Sequence, residues 1–393
     1  MPSALIEAIQ ITFPMCDFVL ERYACAPLPP MPNLISLTAT VHCHCDPVVH
    51  FQPILRHSPR LRHLEIQAYV HTGCVMQAIS LNDDQHAKPF LTGNWDEPIC
   101  RASGPFLESL VLQDERWSQE GAVKCIADMS WLHLRRLELL RCDASCLLQA
   151  CAPVSSIMPA LEVFKYTTWD RTPDVRTNTA QALREFLAAA NGLHEIHIEG
   201  PYRSVVRTIA ETHGKTLHSL ILHDHERPDT PQRAPMCISD LLQLGRQCLL
   251  LQHLGIDVDE KYRLLVDPNS QENRRWSLLK GKLGRGDPTP RSLATILNHG
   301  QYFPALRKVT LYSLLGIARP AEHLRPRRRH DTLDVLKARV PLVMFPDIGD
   351  KSAGASHEAA KIRTIVVRLG EDGRRMGGGY PASEFWLSSR DLS

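Results

Sequence analysis

The sequence is dominated by a short apolar signature, Leu-x-x-Leu-x-Leu or a close variant, which occurs in ten segments. Its clearest copies are Leu61–Ile66, Leu107–Leu112 and Leu134–Leu139. The other copies share this spacing and begin at Leu34, Leu161, Leu193, Leu217, Leu251, Leu306 and Ile362. The first residues of successive copies are 27 residues apart three times. A recurring period in this range predicts a stacked-repeat architecture.

Each copy predicts a strand, and the segments between copies predict helices. The second and third apolar residues of a copy are two apart, which places both side chains on one face of a strand. Residues 178–190 carry apolar residues at helical spacing, and Gly192 follows as a stop signal. Shorter helices are expected around 205–209, after Ser239 as an N-cap, and around 293–297. Because each helix carries the chain back, successive strands must be parallel.

Stacking is what makes such units stable. Burying one Leu contributes roughly 1.5–3 kcal/mol, so a single unit cannot offset its ordering entropy, whereas several stacked units can. A chain of 393 residues exceeds the usual length of one domain, but a repeat array grows in one dimension. The predicted fold class is therefore α/β, with a parallel sheet whose inward apolar residues form one core.

The motif resembles that of the leucine-rich-repeat family. The proline-containing segments Ser58–Leu61, Met158–Leu161 and Phe303–Leu306 resemble those of fungal F-box/leucine-rich-repeat proteins. The resemblance covers roughly residues 30–315 and implies a curved solenoid with parallel strands on the concave face and helices on the convex face. F-box members use the concave face as the substrate receptor of a ubiquitin ligase built on Skp1 and a cullin. Residues 1–30 contain no Leu-Pro-x-Glu-like run, so Skp1 is expected as a partner only if an F-box is encoded upstream.

This reading divides the chain into four parts. Residues 1–30 are an N-terminal cap segment, and residues 31–315 are the solenoid, with insertions near 68–103 and 259–300. Residues 316–369 form an irregular basic insertion with a possible final repeat. Residues 370–393, which are rich in Gly, Ser and charged side chains, are predicted to be a disordered tail.

Polar residues that flank the strand anchors are predicted to lie on the concave face and contact a partner protein. The ten candidates are His63, Glu65, Arg136, Glu138, His197, Glu199, His223, His253, Asp257 and Tyr312. Their mixed charge favours protein recognition over polyanion binding, which needs a stripe of one sign. The alternative is that they are simply solvated strand positions.

No set of residues points to chemistry, so we expect no enzyme activity, cofactor or metal. The run 42–46 (His-Cys-His-Cys-Asp) contains zinc-ligand residue types, but its His and Cys side chains alternate between the faces of a strand. The run 223–225 (His-Asp-His) follows a predicted strand that contains Ser219. Catalytic triads assemble from distant positions, so this proximity is weak support for catalysis.

Composition limits the setting of the protein. Twelve cysteines in 393 residues is not the density of a disulfide scaffold, which favours a reducing cytoplasmic or nuclear setting. Cys142, Cys146 and Cys151 are expected to be packing residues. We expect no signal peptide, and no segment approaches the roughly 18 uncharged apolar residues of a membrane span. The net charge of +2 provides no field that would attract nucleic acid or membrane.

Two functional hypotheses remain. The first is a non-catalytic protein–protein interaction scaffold, with the substrate-recognition part of an SCF-type ubiquitin ligase as its specific form. The second is a nuclear regulatory protein that uses the basic run 325–330 for import or nucleic-acid contact. The alternative reading of that run is a solvated insertion loop.

The strand assignment predicts opposite effects at two adjacent positions. Leu137→Asp places an unpaired charge in the core and should cost several kcal/mol in the free energy of unfolding. Glu138→Ala changes a surface position and should stay within about 0.5 kcal/mol. Equal thermal stability of the two variants would contradict the assignment.

Overall fold

The computed structural model describes the parts of the chain that carry the apolar signature. The described residues are 6–12, 31–42, 57–69, 106–113, 117, 119–128, 130–153, 158–168, 173–224, 236–258, 296–297, 302–313, 362, 364–369 and 383–388. The chain divides into two compact units, Met1–His213 and Gly214–Ser393. The leucine spacing did not predict this boundary, which falls inside the segment 31–315 expected to be one solenoid.

Unit 1 (Met1–His213) contains a parallel sheet whose strands pair in chain order. These strands are β1 (Ala8–Thr12), β2 (Ser36–His42), β3 (His63–Tyr69), β4 (Ser109–Gln113), β5 (Arg136–Cys142), β6 (Val163–Thr168) and β7 (Glu195–Glu199). The helices among its described residues are α1 (Gln119–Asp128), α2 (Ser145–Cys151), α3 (Pro173–Ala189), the 3-10 turn Arg203–Val205 and α4 (Val206–His213). The parallel order confirms the predicted α/β class with a parallel sheet.

Two rows of apolar side chains cross the sheet of unit 1 in register. The residues of the first row are Leu37, Leu64, Leu110, Leu137, Phe164 and Ile196. The second row, two residues later on each strand, consists of Ala39, Ile66, Leu112, Leu139, Tyr166 and Ile198. All twelve are at most 2% exposed. The apolar residues of the sequence signature therefore form the core face of the sheet.

Helices α1 to α4 pack against one another in chain order. Phe186 of α3 contacts Phe164 of β6, with ring centroids 4.8 Å apart. Helix α3 begins at Pro173, five residues before the predicted start, because Pro suits the first helical position even though the apolar pattern begins later. Gly192 follows α3 with φ of 60°, the left-handed conformation that favours glycine, as expected of the stop signal.

A recurring four-residue turn precedes many of the strands. Its members are Met31–Leu34, Ser58–Leu61, Trp131–Leu134 and Met158–Leu161 in unit 1, and Cys248–Leu251 and Phe303–Leu306 in unit 2. In each turn the fourth residue donates its N–H to the first residue's carbonyl over 3.0–3.3 Å. Proline occupies the second position in four turns, where its fixed φ is favourable. The turn buries its first and fourth side chains and delivers the chain to the strand.

The residue before a strand fixes the register with the next strand. The Ile35 carbonyl accepts N–H bonds from both Arg62 (2.8 Å) and His63 (3.0 Å). The Arg62 carbonyl does the same with Glu108 (2.8 Å) and Ser109 (3.0 Å). Such paired bonds recur along unit 1 and again in unit 2, and they keep each leucine opposite the leucine of its neighbour.

Unit 2 (Gly214–Ser393) repeats this plan. Its elements are β8 (Ser219–His223), α5 (Ile238–Gln247), β9 (His253–Val258), β10 (Lys308–Ser313), β11 (Thr364–Leu369) and β12 (Ser383–Ser388). Strands β8 to β11 are parallel in chain order, and β12 pairs antiparallel with β11. The buried row across β8–β11 consists of Leu220, Leu254, Val309 and Ile365. The last copy of the signature, which begins at Ile362 and has no leucine at its three apolar positions, is therefore part of the sheet.

Two local predictions differ from the structure. Strand β12 lies within the tail 370–393 that we predicted to be disordered. Phe385, Trp386 and Leu387 are consecutive and show no period, and the edge of β11 supplies their backbone partners. Strand β1 lies within the predicted cap segment 1–30, which contains no copy of the signature. Helix α5 begins at Ile238 with Cys237 as its N-cap residue, so Ser239 lies inside the helix.

Several predictions fall outside the described residues. They include the basic run 325–330, most of the two insertions near 68–103 and 259–300, and all of 42–46 except His42. Of the helix predicted around 293–297, the structure describes Ile296 and Leu297, which are helical and buried.

His213, the last residue of α4, is a buried neutral histidine that joins two parts of unit 1. Its Nδ1 accepts the Leu193 N–H over 3.3 Å, and its Nε2 lies 2.9 Å from the Leu187 carbonyl oxygen and donates to it. Burial lowers the pKa of His213 to about 4, against the weaker opposing effect of the Leu187 hydrogen bond. The imidazole thus fills a structural position in its neutral form.

This lowered pKa predicts acid sensitivity. Below the ordinary pKa near 6.5 the unfolded chain takes up a proton on His213, whereas the folded chain does so only near pH 4. Between pH 7.5 and 5, His213 should therefore remove about 2 kcal/mol from the free energy of unfolding. Urea unfolding at both pH values measures the change. In His213→Gln the drop should shrink by that amount, and an unchanged drop would contradict the assignment.

Candidate functional site

The face of the unit 1 sheet opposite the buried rows carries polar side chains, and we call it the unit 1 polar face. Its first row comprises Ser36, His63, Ser109, Arg136, Val163 and Glu195. Its second row comprises Thr38, Glu65, Val111, Glu138, Lys165 and His197. The third comprises Thr40, Gln67, Gln113, Leu140, Thr167 and Glu199. Strand alternation puts these three rows on one side because every second side chain shares a face.

All six predicted contact residues of unit 1 lie on this face, but their exposure differs. His63, Glu65 and Arg136 are exposed, and His197 and Glu199 are half-buried. Glu138 is only 7% exposed, which differs from the surface contact position that we predicted. Their placement on one face follows from the strand pattern, whereas their role as partner contacts stays a prediction.

Glu138 is buried because two cations surround it. Its Oε1 forms an ion pair with the guanidinium of Arg136 on the same strand and lies 3.1 Å from the Nζ of Lys165 on β6. Arg136 and Lys165 remain 44% and 26% exposed, so their charges still face the solvent above the buried carboxylate. The centre of the unit 1 polar face is thus cationic at its surface.

Smaller polar contacts flank this centre on both sides. The Thr38 hydroxyl donates to Glu65 over 3.4 Å, and His197 Nε2 lies 3.1 Å from Glu199 Oε1. Within β5, the backbone bulges at Arg141, which has φ of 55° and donates its N–H to the Thr167 hydroxyl over 2.6 Å. Short polar contacts therefore lie on both sides of the Glu138 ion pairs.

A shallow depression lies at the start of strands β3 to β5. The described residues that line it are His63, Glu108, Ser109, Arg135 and Arg136, and its volume is about 370 Å³. We call it the Ser109 depression. The sequence pattern predicted His63 and Arg136 but not the other three lining residues. Glu108 and Arg135 directly precede their strands, and Ser109 is a short uncharged side chain that no motif singles out.

Charged residues just before the strands add ion pairs at this rim. Arg62 Nε lies 3.7 Å from Glu108, and Arg135 Nη1 lies 3.5 Å from Glu162. All four side chains are between 37% and 62% exposed, so each pair contributes little to stability. These four residues occupy the second position of four successive copies of the signature and alternate between basic and acidic in the sequence.

Unit 2 has its own polar face, and its centre is buried. His223 Nδ1 lies 2.7 Å from Asp257 Oδ1, while the Asp224 backbone N–H donates to Asp257 Oδ2 over 2.8 Å. The Tyr312 ring stacks on the His223 ring at a centroid distance of 4.2 Å, and Arg368 lies 5.7 Å from the Tyr312 ring. The carboxylate of Asp257 thus anchors a layered set of side chains.

Three of the four predicted contact residues of unit 2 belong to this layered set and are not exposed. Asp257, Tyr312 and His223 are 2%, 5% and 6% exposed. We predicted exposed contact positions for a partner protein. These side chains are buried instead because they form hydrogen bonds and ring contacts with one another. Gly255 makes room for the arrangement, since a Cβ there would approach Ile221 at 3.1 Å and Tyr312 at 3.3 Å.

The fourth residue, His253, forms a separate hydrogen-bonded set. Its Nδ1 lies 3.4 Å from the Ser219 hydroxyl and its Nε2 lies 2.9 Å from the Thr310 hydroxyl. Ser219 therefore contacts His253, while His223 contacts Asp257. The Ser, His and Asp that are close in sequence around β8 are distributed over two sets with different partners.

The remaining candidates for chemistry are metal-ligand groups and cysteine thiols. Within the described ranges, no group of three or more His, Cys, Asp and Glu side chains could hold a metal ion. Cys142 and Cys151 are buried, Cys146 is half-buried, and all three are free thiols. Burial raises the pKa of the Cys146 thiol and, more strongly, that of Cys151. Such shifts favour the neutral, unreactive thiol, as expected of packing residues.

No protein-family model and no curated protein matches this sequence. In the described part of the chain, every helix is too short or too polar to span a bilayer. Functional inference therefore depends on the fold and on the surfaces just described.

The ion pairs of Glu138 revise the stability prediction made from sequence. Glu138→Ala leaves Arg136 and Lys165 without their shared carboxylate and should cost about 1–2 kcal/mol, because charged hydrogen bonds are worth more than neutral ones. Glu65→Ala, at the same register position on β3, removes an exposed carboxylate and should stay within about 0.5 kcal/mol. Urea unfolding followed by circular dichroism compares the two, and equal losses would contradict the described role of Glu138.

Proposed function

We propose that the chain is a non-catalytic protein–protein interaction scaffold of the leucine-rich-repeat kind, and that the unit 1 polar face binds a partner protein. The observation that carries the proposal is the asymmetry of the unit 1 sheet. One face is a continuous apolar core, whereas the other exposes His63, Glu65 and Arg136. Parallel sheets of ordinary α/β proteins are covered on both faces, so a polar, partly exposed face is typical of solenoids that bind partners there.

The chemistry of this face supports a protein partner. Acidic and basic groups lie within a few ångströms of one another, as in Arg136, Glu138 and Lys165. A mixed pattern selects a partner with complementary charges and disfavours a polyanion, which is attracted by a stripe of one sign. The buried centre of unit 2 fits a structural role better than direct contact, so the proposed contact surface is narrower than the ten residues predicted from sequence.

The more specific form of the proposal is the substrate-recognition part of an SCF-type ubiquitin ligase. It is supported by the resemblance of the motif and its proline-containing turns to fungal F-box/leucine-rich-repeat proteins. Purified Skp1 tests it directly: stable binding to the chain, or to a product with an upstream F-box, supports this form. Absence of binding in both cases leaves the scaffold without a ligase role.

Charge reversal on the polar face tests the general proposal. The double variant His63→Glu/Glu65→Arg alters two exposed positions, and the control Arg207→Glu/Glu211→Arg reverses an exposed ion pair on α4. Affinity purification with quantitative mass spectrometry should recover a partner with wild type and control. The affinity of this partner for the purified face variant should be about tenfold lower than for wild type, which corresponds to about 1.4 kcal/mol of binding free energy.

Two outcomes would contradict the proposal. One is that every partner recovered with wild type is recovered equally with the face variant. The other is that the α4 control loses the same partners as the face variant, which would show that binding does not depend on the unit 1 polar face.

A further inference from the structure

The Ser109 depression is a place on unit 1 where a small group can lie against the sheet. His63, Ser109 and Arg136 are in register across β3, β4 and β5. Neighbouring strands are about 4.8 Å apart, so the backbones of His63 and Arg136 are roughly 10 Å apart. The small side chain of Ser109 between two long ones leaves the open volume of about 370 Å³.

The depression is lined mainly by hydrogen-bond donors. Each guanidinium has five N–H donors. The described contacts of Arg136 use its Nε and Nη2, and those of Arg135 use its Nη1. The Ser109 hydroxyl and a ring nitrogen of His63 provide further donors. The lining residues thus offer two guanidinium groups, a hydroxyl and an imidazole.

The fixed charges leave this site cationic. Arg135 and Arg136 line the depression together with one acidic residue, Glu108. Glu108 lies 3.7 Å from Arg62, and Arg135 lies 3.5 Å from Glu162, so each of these exposed pairs balances one positive and one negative charge. Glu138 is held by both Arg136 and Lys165 beneath the surface. An anion that enters from solvent therefore meets more positive than negative charge.

We propose that the Ser109 depression binds a phosphate monoester carried by a side chain of the partner protein, such as phosphoserine. A carboxylate can also accept several hydrogen bonds, but a phosphate monoester has three terminal oxygens instead of two and a charge near −2 instead of −1. It therefore gains more from two guanidinium groups and two further donors. The volume is at the lower end for small-molecule pockets and suits one side chain. The assignment of the phosphate to a partner protein rests on the proposed function. The assignment of an anion site to the depression is independent of it.

Protection of individual arginines tests the site. The full chain is treated with phenylglyoxal, which modifies exposed guanidinium groups, with and without O-phospho-L-serine at constant ionic strength. Peptide mass spectrometry measures the rate at each arginine. Modification of Arg135 and Arg136 should slow severalfold with O-phospho-L-serine, and glutamate at the same concentration should protect them less. Arg207, which is 77% exposed on α4, should be unaffected by either compound.

A matched pair of variants links the protection to the depression. Ser109→Val fills it with a branched side chain that strands accept well. Ser36→Val makes the same change in the same row, two strands away and outside the lining. Protection of Arg135 should be lost in Ser109→Val and kept in Ser36→Val, with both variants giving the wild-type circular dichroism spectrum.

Three results would overturn the inference. Uniform protection of Arg207 along with the others would indicate a nonspecific ionic effect, and unchanged protection in Ser109→Val would place binding elsewhere. Equal protection by glutamate would remove the preference for phosphate. Because the probe is a small molecule, these three results do not depend on a partner protein. They can therefore be distinguished from a failure of the proposed function, which is measured by partner binding to the His63→Glu/Glu65→Arg variant.

Discussion

Burial of apolar side chains in register on one face of a parallel sheet supports each unit of this protein. Leu110 packs beside Leu64 on one side and Leu137 on the other, and none is more than 2% exposed. The register depends on carbonyls just before the strands that accept two N–H bonds each, as the Glu108 carbonyl does from Arg135 and Arg136. A slip by one residue would move every leucine to the opposite face, so this backbone pattern and the apolar core stabilise each other.

The same register determines what the polar face can do. Cross-strand neighbours on that face are about 4.8 Å apart, so charges that are tens of residues apart in sequence become direct partners. Glu138 and Lys165 are paired in this way, as are His223 and Asp257 in unit 2. In unit 1 such pairing leaves cationic groups exposed above a buried carboxylate. In unit 2 it produces a stacked cluster that is closed to solvent. The exposed face of unit 1 is therefore suited to binding, whereas the buried cluster of unit 2 serves packing.

The Ser109 depression illustrates how a small residue creates a site in a regular scaffold. Along the first row of the unit 1 polar face, long side chains stand on either side of Ser109, and the rim residues Glu108 and Arg135 precede their strands. Specificity in such a sheet can therefore change through a single short side chain, while the buried rows behind it remain as they are.

The sequence by itself determined the strands, since the spacing Leu-x-x-Leu-x-Leu is imposed by the pleat of a buried strand and all ten predicted segments contain one. It also determined which residues share the polar face, because alternation is a local property. Only the tertiary structure decided that Glu138, Asp257 and His223 are buried, since their burial depends on partners 27–34 residues away that no local pattern specifies. The division at His213 and the edge strand β12 were likewise decided by contacts between distant segments, whose energies a local apolar period does not encode.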